Sequence, residues 1–254
     1  MTAILNRQIP ITGFDPRILL RSLRGTPAYI ADWLRYSKLN TSPAFKIRLR
    51  YATPMLTDRY ASAGAASGHY FHQDLWAARK IHERGPDKHL DIGSRIDGFV
   101  AHVLTFMPLT IVDIRSMKSD IQGLTFLQDD ATTLSKLPSN SVQSLSSLHV
   151  AEHFGLGRYS DPIDPEACFK FMRSLERVLA PCGRLYFSVP VGKERVDFNA
   201  HRVFSPRTIL DTFSGLRLES FSYVSDQGDL YLDTAPDLMP ASKLACGLFE
   251  FSKM

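Results

Sequence analysis

The sequence predicts an α/β protein: a doubly wound, mostly parallel sheet with an antiparallel hairpin at one edge and a helical N-terminal arm. Three observations lead there. From about residue 86 onward short apolar runs alternate with amphipathic ones. The first apolar run enters a glycine turn at Gly93, and the last two, Leu216–Val224 and Cys246–Phe251, have no helical pattern between them.

Composition bounds the alternatives. With 254 residues, 44% hydrophobic and 22% charged, the chain can bury a sizeable core, which excludes disordered and fibrous classes. The longest charge-free apolar run, Gly98–Val112, contains His102 and Pro108 and is shorter than the ~18 residues of a membrane span. Met1–Phe14 lacks the continuous apolar core of a signal peptide. Cys168, Cys182 and Cys246 are odd in number and lack metal-ligand spacing, which predicts a reduced cytoplasmic compartment, no disulfide frame and no cysteine zinc site.

The arm comes first. Residues 1–60 hold ten Lys/Arg against three Asp/Glu, net +7, whereas the remainder holds 20 against 23. Asp15–Arg24 and Thr26–Lys38 read as two short helices, with Pro16 and Pro27 at first-turn positions. Leu19, Leu20, Leu23, Ile30, Trp33 and Leu34 recur at helical spacing, a stripe that suits docking on the chain's own surface. The basic balance beside Tyr29, Trp33 and Tyr36 also suits an anionic lipid carrier or membrane surface, with the protein peripheral to the inner face of the membrane. A solvated basic surface is the plain alternative. Ala61–Gly68 is small and flexible enough to be a linker, which divides the chain into an arm, 1–68, and a main domain, 69–254.

In the main domain His89–Gly93, Thr110–Ile114, Leu124–Gln128, Val142–Val150 and Arg184–Val191 read as strands. Ile96–Phe106 reads as a helix. So does Pro165–Leu179, where Phe169, Met172, Leu175, Val178 and Leu179 share one face and Pro181 and Gly183 follow the end. Ser205 caps a further helix to Phe213, with Pro206 at its first position.

Ligands of doubly wound sheets bind at the carboxyl ends of the strands. The first end, Asp91-Ile92-Gly93-Ser94-Arg95-Ile96-Asp97-Gly98, is no P-loop, because Phe99 stands where Lys should follow. It is a poor dinucleotide fingerprint, because Arg95 replaces the middle glycine. The second ends in Asp113, suited to accept both hydroxyls of a ribose; the third ends in Asp129-Asp130-Ala131, where a carboxylate suits an adenine amino group. One such acid is ordinarily a helix cap, but three on successive strands favour a nucleoside site.

These motifs, with His149-Val150-Ala151-Glu152-His153 and Leu179-Ala180-Pro181-Cys182-Gly183-Arg184-Leu185, resemble the ordered motifs of class I S-adenosylmethionine-dependent methyltransferases, which have Rossmann-like sheets. Four segments are similar to a domain-of-unknown-function family first named from nematode proteins: Tyr70–Trp76, Gly93–Phe99, Glu152–Tyr159 and Phe198–Arg202. Its bacterial members tend to lie among surface-polysaccharide genes. The resemblance implies S-adenosylmethionine as cofactor, with Asp91 and Gly93 at its methionine end, Asp113 at the ribose and Asp130-Ala131 at the adenine. Arg95, in a turn with fewer glycines than usual, is a candidate partner for the cofactor carboxylate; the same departure fits a relative that has lost the cofactor. The segment His72-Gln73-Asp74 is where such proteins often carry a lid.

The implied chemistry is methyl transfer to a hydroxyl of a sugar or glycan intermediate. A hydroxyl is a weak nucleophile and calls for a general base. His201 and His153 are the candidates, with His201 on a polar loop ahead of Ser205 and Arg202 beside it keeping the imidazole neutral. Glu152 and His153 are sequence neighbours whose side chains are expected to diverge. His149, Glu152, His153 and His201 form a less favoured metal set, and local hydrogen bonding of all four is the plain alternative. Two other functions stay open: an inactive relative scaffolding glycan assembly, and a nucleic-acid methyltransferase. The latter is disfavoured by the absence of an Asn-Pro-Pro-Tyr-type motif and of aromatic–basic alternation.

Overall fold

The computed structural model describes residues 16–61, 63–64 and 66–254. The readings made on Met1–Asp15 and on positions 62 and 65 lie outside those residues. The chain forms two compact units, residues 1–65 and 66–254.

In the first unit the two expected helices are one, α1 (Pro16–Leu39), which runs through Pro27. Proline removes the N–H that would serve the Leu23 carbonyl. Leu23 is exposed, so water can satisfy that carbonyl, while Thr26 Oγ1 donates to the Ser22 carbonyl at 2.9 Å. Gly25 lets the chain cross the helix: a Cβ there would lie 1.9 Å from the Leu56 carbonyl oxygen. No described helix is long and apolar enough to cross a membrane.

The second unit holds an eight-stranded sheet. Its strands are β1 (His89–Ile92), β2 (Leu109–Asp113), β3 (Leu124–Gln128), β4 (Val142–Leu148), β5 (Leu179–Val191), β8 (Leu216–Val224), β9 (Leu230–Tyr231) and β10 (Ala245–Lys253). The order is β3-β2-β1-β4-β5-β10-β8-β9. The first five strands are parallel, and β10 runs antiparallel to both β5 and β8. The closing strands therefore pair antiparallel as expected, with the last one inserted between β5 and β8 rather than added outside. A separate ribbon, β6 (Arg195–Asp197) and β7 (His201–Val203), stands where the sequence suggested a loop.

Apolar residues at alternate strand positions build two cores, one per face. Ile92, Leu145, Leu185, Phe187 and Phe249 meet the amphipathic α4 (Ala167–Val178) and the Ser205-capped α5 (Pro206–Thr212) on one face. Ile111, Leu148, Tyr186 and Leu248 meet α2 (His69–Arg84) on the other. Trp76, Ala77 and Ile81 make α2 a packed helix. Gln73 and Asp74, read from the sequence as lid residues, are buried with it.

The helix after β1 is short, a π-turn over Ile96–Val100 followed by α3 (Ala101–Leu104), with Val100 N–H reaching the Arg95 carbonyl at 3.2 Å. Gly98 lets Asp74 of α2 come close to this turn, since a Cβ would lie 2.2 Å from Asp74 Oδ2. The positive φ of His149, +55°, ends β4 at Leu148, two residues short of Val150, and turns the chain out at the strand's carboxyl end.

Candidate functional site

The carboxyl ends of β1, β2, β3 and β4 lie side by side, and the predicted residues sit on them. Asp91, on β1, has no exposure. Its carboxylate accepts from Ser94 N (3.0 Å), Ser94 Oγ (2.6 Å) and Ser146 Oγ (2.5 Å). Ser94 Oγ in turn accepts from Leu148 N at 3.1 Å, and His89 bonds Ser144 and Ser146 at 2.7 and 2.8 Å. This buried polar network staples β1 to β4 and fixes the turn at Gly93, whose φ is +70°. Burial pushes the Asp91 carboxyl up to about 6, and the serine donors only partly offset it.

Asp113, at the end of β2, is different. Its side chain is 21% exposed and is forked by Arg115, Nε at 3.0 Å and Nη2 at 2.7 Å, with Arg115 N at 2.8 Å. Burial alone would raise this carboxyl, but the Arg115 contacts outweigh it and hold it below the usual range. Asp130 is exposed; its Oδ1 accepts from Thr132 N and Oγ1, both at 2.8 Å. Ala131 is buried in the core, and the neighbouring Asp129 accepts from Ser135 and Lys136 N. Ile114, after Asp113, is 63% exposed. Arg95 is bound to Asp97 at 3.0 Å, and its guanidinium lies 4.8 Å from the centre of the Tyr70 ring.

After β4 the chain makes a 3-10 turn, Ala151–His153, that brings Glu152 and His153 together rather than apart: Glu152 Oε1 lies 3.8 Å from His153 Nε2. Glu152 is 1% exposed, its Oε2 has no hydrogen-bond partner, and burial pushes its carboxyl up to about 8. His153 Nδ1 lies 2.7 Å from the Ala200 carbonyl. A carbonyl only accepts, so Nδ1 carries the proton and Nε2 the lone pair. Burial lowers this imidazole to about 4.

His201 opens β7, with its Nε2 buried 3.4 Å from Asp197 Oδ2. Burial lowers its pKa, with Arg195 and Arg158 adding to the effect against Asp197. Arg202 is turned away, donating to the Phe154 and Pro165 carbonyls. His149 is half-buried, with Nδ1 3.4 Å from Ser188 Oγ, and its ring meets those of His69 and Tyr70 edge-on. Glu152 and His153 face each other, whereas His149 and His201 face other partners, and among the described residues no three His, Cys, Asp or Glu form a group that could hold a metal.

Residues to which the sequence assigns no role tie the site together. The Tyr159 ring has the Arg115 guanidinium 5.5 Å away, the Arg158 guanidinium at 5.2 Å and the His153 ring at 5.8 Å. Arg158 also donates to the Ala200 carbonyl at 3.0 Å. Tyr159 therefore stands between the Asp113–Arg115 fork and the Glu152–His153 pair.

Residues 102–235, just over half of the chain, match the family described as "Caenorhabditis protein of unknown function, DUF268". The chain belongs to this family. The match takes in Asp113, Asp130, Glu152, His153, Tyr159 and His201, and begins after the turn at Gly93. No curated protein matches the DUF268 chain. In fold it is similar to the cyclase SpnF, with 15% identity and TM-score 0.50, over 71% of this chain and 81% of that one. It is also similar to the N-methyltransferase NodS from Bradyrhizobium japonicum WM9, in complex with S-adenosyl-L-homocysteine, with 13% identity and TM-score 0.50, over 89% and 98%. The DUF268 chain has the fold of class I S-adenosylmethionine-dependent methyltransferases. That fold is compatible with more than one reaction, as the cyclase shows.

Proposed function

We propose that this DUF268 protein transfers a methyl group from S-adenosylmethionine to a hydroxyl of a sugar or glycan-biosynthesis intermediate. The observation that supports the reading is the position of Tyr159, whose ring has Arg115 of the Asp113–Arg115 fork and His153 of the Glu152–His153 pair as neighbours.

The residues present fit the cofactor. Asp113 and Asp130 offer acceptors at adjacent strand ends, and the exposed Ile114 offers a flat apolar surface beside them. Arg115 occupies Asp113, but its side chain is 67% exposed. An ion pair so exposed is worth roughly 0–1 kcal/mol, so ribose hydroxyls can displace it at little cost. Arg95, half-exposed and paired with an exposed Asp97, is likewise free to meet a carboxylate. When bound, the cofactor supplies an activated methyl group.

The chain's own residues then have to position the acceptor and take its proton. His153 is better placed than His201. Its Nδ1 is fixed by a carbonyl, so Nε2 presents the lone pair, whereas the Nε2 of His201 is buried against Asp197. The hydroxyl proton passes to His153 Nε2, and Glu152, 3.8 Å away, supports the imidazolium once ionised. Since Glu152 is held protonated up to about 8, turnover rises with pH towards that value.

Calorimetric titration with S-adenosylmethionine and S-adenosylhomocysteine tests the cofactor assignment, and absence of binding ends it. On an identified acceptor, His153→Ala should lower turnover by roughly 10²–10⁴ with cofactor affinity unchanged. Parental turnover in that variant would reject His153 as base. One observation favours a second reading. Arg115 forks Asp113 with two side-chain nitrogens, an internal pairing that suits a non-catalytic relative that scaffolds glycan assembly. The same titration separates the two.

A further inference from the structure

The first unit contradicts the usual logic of a folded segment. Among its described residues 18–61 only Gly25 is buried, although the segment is rich in leucine, isoleucine and aromatic side chains. At 100° per residue, Leu19, Leu23, Ile30 and Leu34 fall within about 60° of one another along α1. They are 47%, 61%, 53% and 58% exposed. Lys38, Arg24 and Arg35 occupy about the next 60° of the same helix, also exposed. The only acid in α1, Asp32, is engaged by Arg59. Beside the stripe runs an apolar groove of about 330 Å³ lined by Tyr29, Ile30, Trp33, Leu34, Leu49 and Pro54.

We infer that α1 lies in the interface of an anionic membrane, with the Leu19–Leu34 stripe in the acyl boundary and Arg24, Arg35 and Lys38 against the headgroups. An apolar stripe alone would fit any apolar partner. A basic stripe running lengthwise beside it, in a segment of net +7, selects a surface that is apolar within and anionic at its rim. Tyr29, Trp33 and Tyr36 on the same helix have the amphipathic rings that favour the headgroup level. The helix rests on the surface, since no described helix is apolar enough to span. The inference is independent of the reaction assigned to the second unit.

The test is flotation of the full chain with vesicles of phosphatidylcholine alone and of phosphatidylcholine with phosphatidylglycerol. Binding is expected only to the anionic vesicles, falling steeply with added salt. Trp33 fluorescence should shift to the blue on binding, while the buried Trp76 stays silent. The double variant Leu23→Asp/Leu34→Asp, at exposed positions, should keep the parental melting temperature and lose affinity by more than about tenfold. Arg24→Glu/Arg35→Glu should weaken binding too. No binding at low salt, or equal binding by the aspartate variant, would overturn the inference. So would lipid-free sedimentation showing a dimer that the aspartate variant dissolves, because the stripe would then belong to a second copy.

Discussion

Asp91 and Asp113 end neighbouring parallel strands, and the sequence presents them as members of one series. The structure separates them. Asp91, on a strand flanked by β2 and β4, is sealed beneath the Gly93 turn with its carboxylate committed to Ser94 and Ser146. Asp113 stands at the rim with a single, displaceable partner. The contrast teaches that the same residue at equivalent strand ends can be a buried staple or a partly exposed acceptor, and that burial together with the identity of the donors decides which.

Removing each carboxylate should expose the division most sharply. Asp91→Ala strands the buried donors of Ser94 and Ser146 and should cost about 3–5 kcal/mol, a fall in Tm on the order of 10 °C by thermal denaturation. A loss below about 1 kcal/mol would mean that the network is not structural. Asp113→Ala should leave stability within about 1 kcal/mol and instead weaken S-adenosylmethionine binding by about 2–4 kcal/mol in calorimetry, roughly 30- to 1000-fold. Equal affinity in variant and parent would remove Asp113 from the cofactor site.

Acid–base linkage should then show the two with opposite sign. Asp91 binds its proton more tightly folded than unfolded, so its contribution is most favourable below about 4 and declines as pH rises to about 6, by on the order of 3 kcal/mol. Glu152 acts in the same direction between about 4.5 and 8. Asp113, held below its usual range, contributes above that range and loses its contribution as pH falls through it. Denaturant unfolding across pH should give a shallower decline for Asp91→Asn and for Glu152→Gln. An unchanged slope in both would refute the buried-acid account.

The smallest effect is expected from Arg115→Ala. Stability should change by less than about 0.5 kcal/mol, and cofactor affinity should tighten a few-fold because Asp113 is released. Weaker binding in calorimetry would show Arg115 to be part of the receptor.

The mostly parallel sheet, the Ser205 cap and the antiparallel close were legible because periodicity and capping chemistry are local. The functional division between Asp91 and Asp113 was not, because it depends on pairing: Asp91 lies opposite Ser146 in the β1–β4 register. A trace was present, since Ser144 and Ser146 stand at alternate positions of their strand as His89 and Asp91 do in theirs. Convergence of Glu152 on His153 needs the 3-10 turn, and the place of His201 needs the β6–β7 ribbon; neither follows from spacing. Pro27 misled for the opposite reason. It is a local break signal, tolerated here because the carbonyl it frees, that of the exposed Leu23, can turn to water.

The insertion of β10 has a kinetic consequence. Strands β8 and β9 join the sheet only through β10, and β5 has no neighbour on that side until residues 245–253 arrive. During synthesis the parallel half can assemble while its open edge waits for a strand more than 50 residues downstream. Pairings so distant in sequence form late, and an uncovered apolar edge is the usual seed of aggregation. Occupation of that edge by β10 is therefore the step at which a folding chain commits either to its native sheet or to its neighbours.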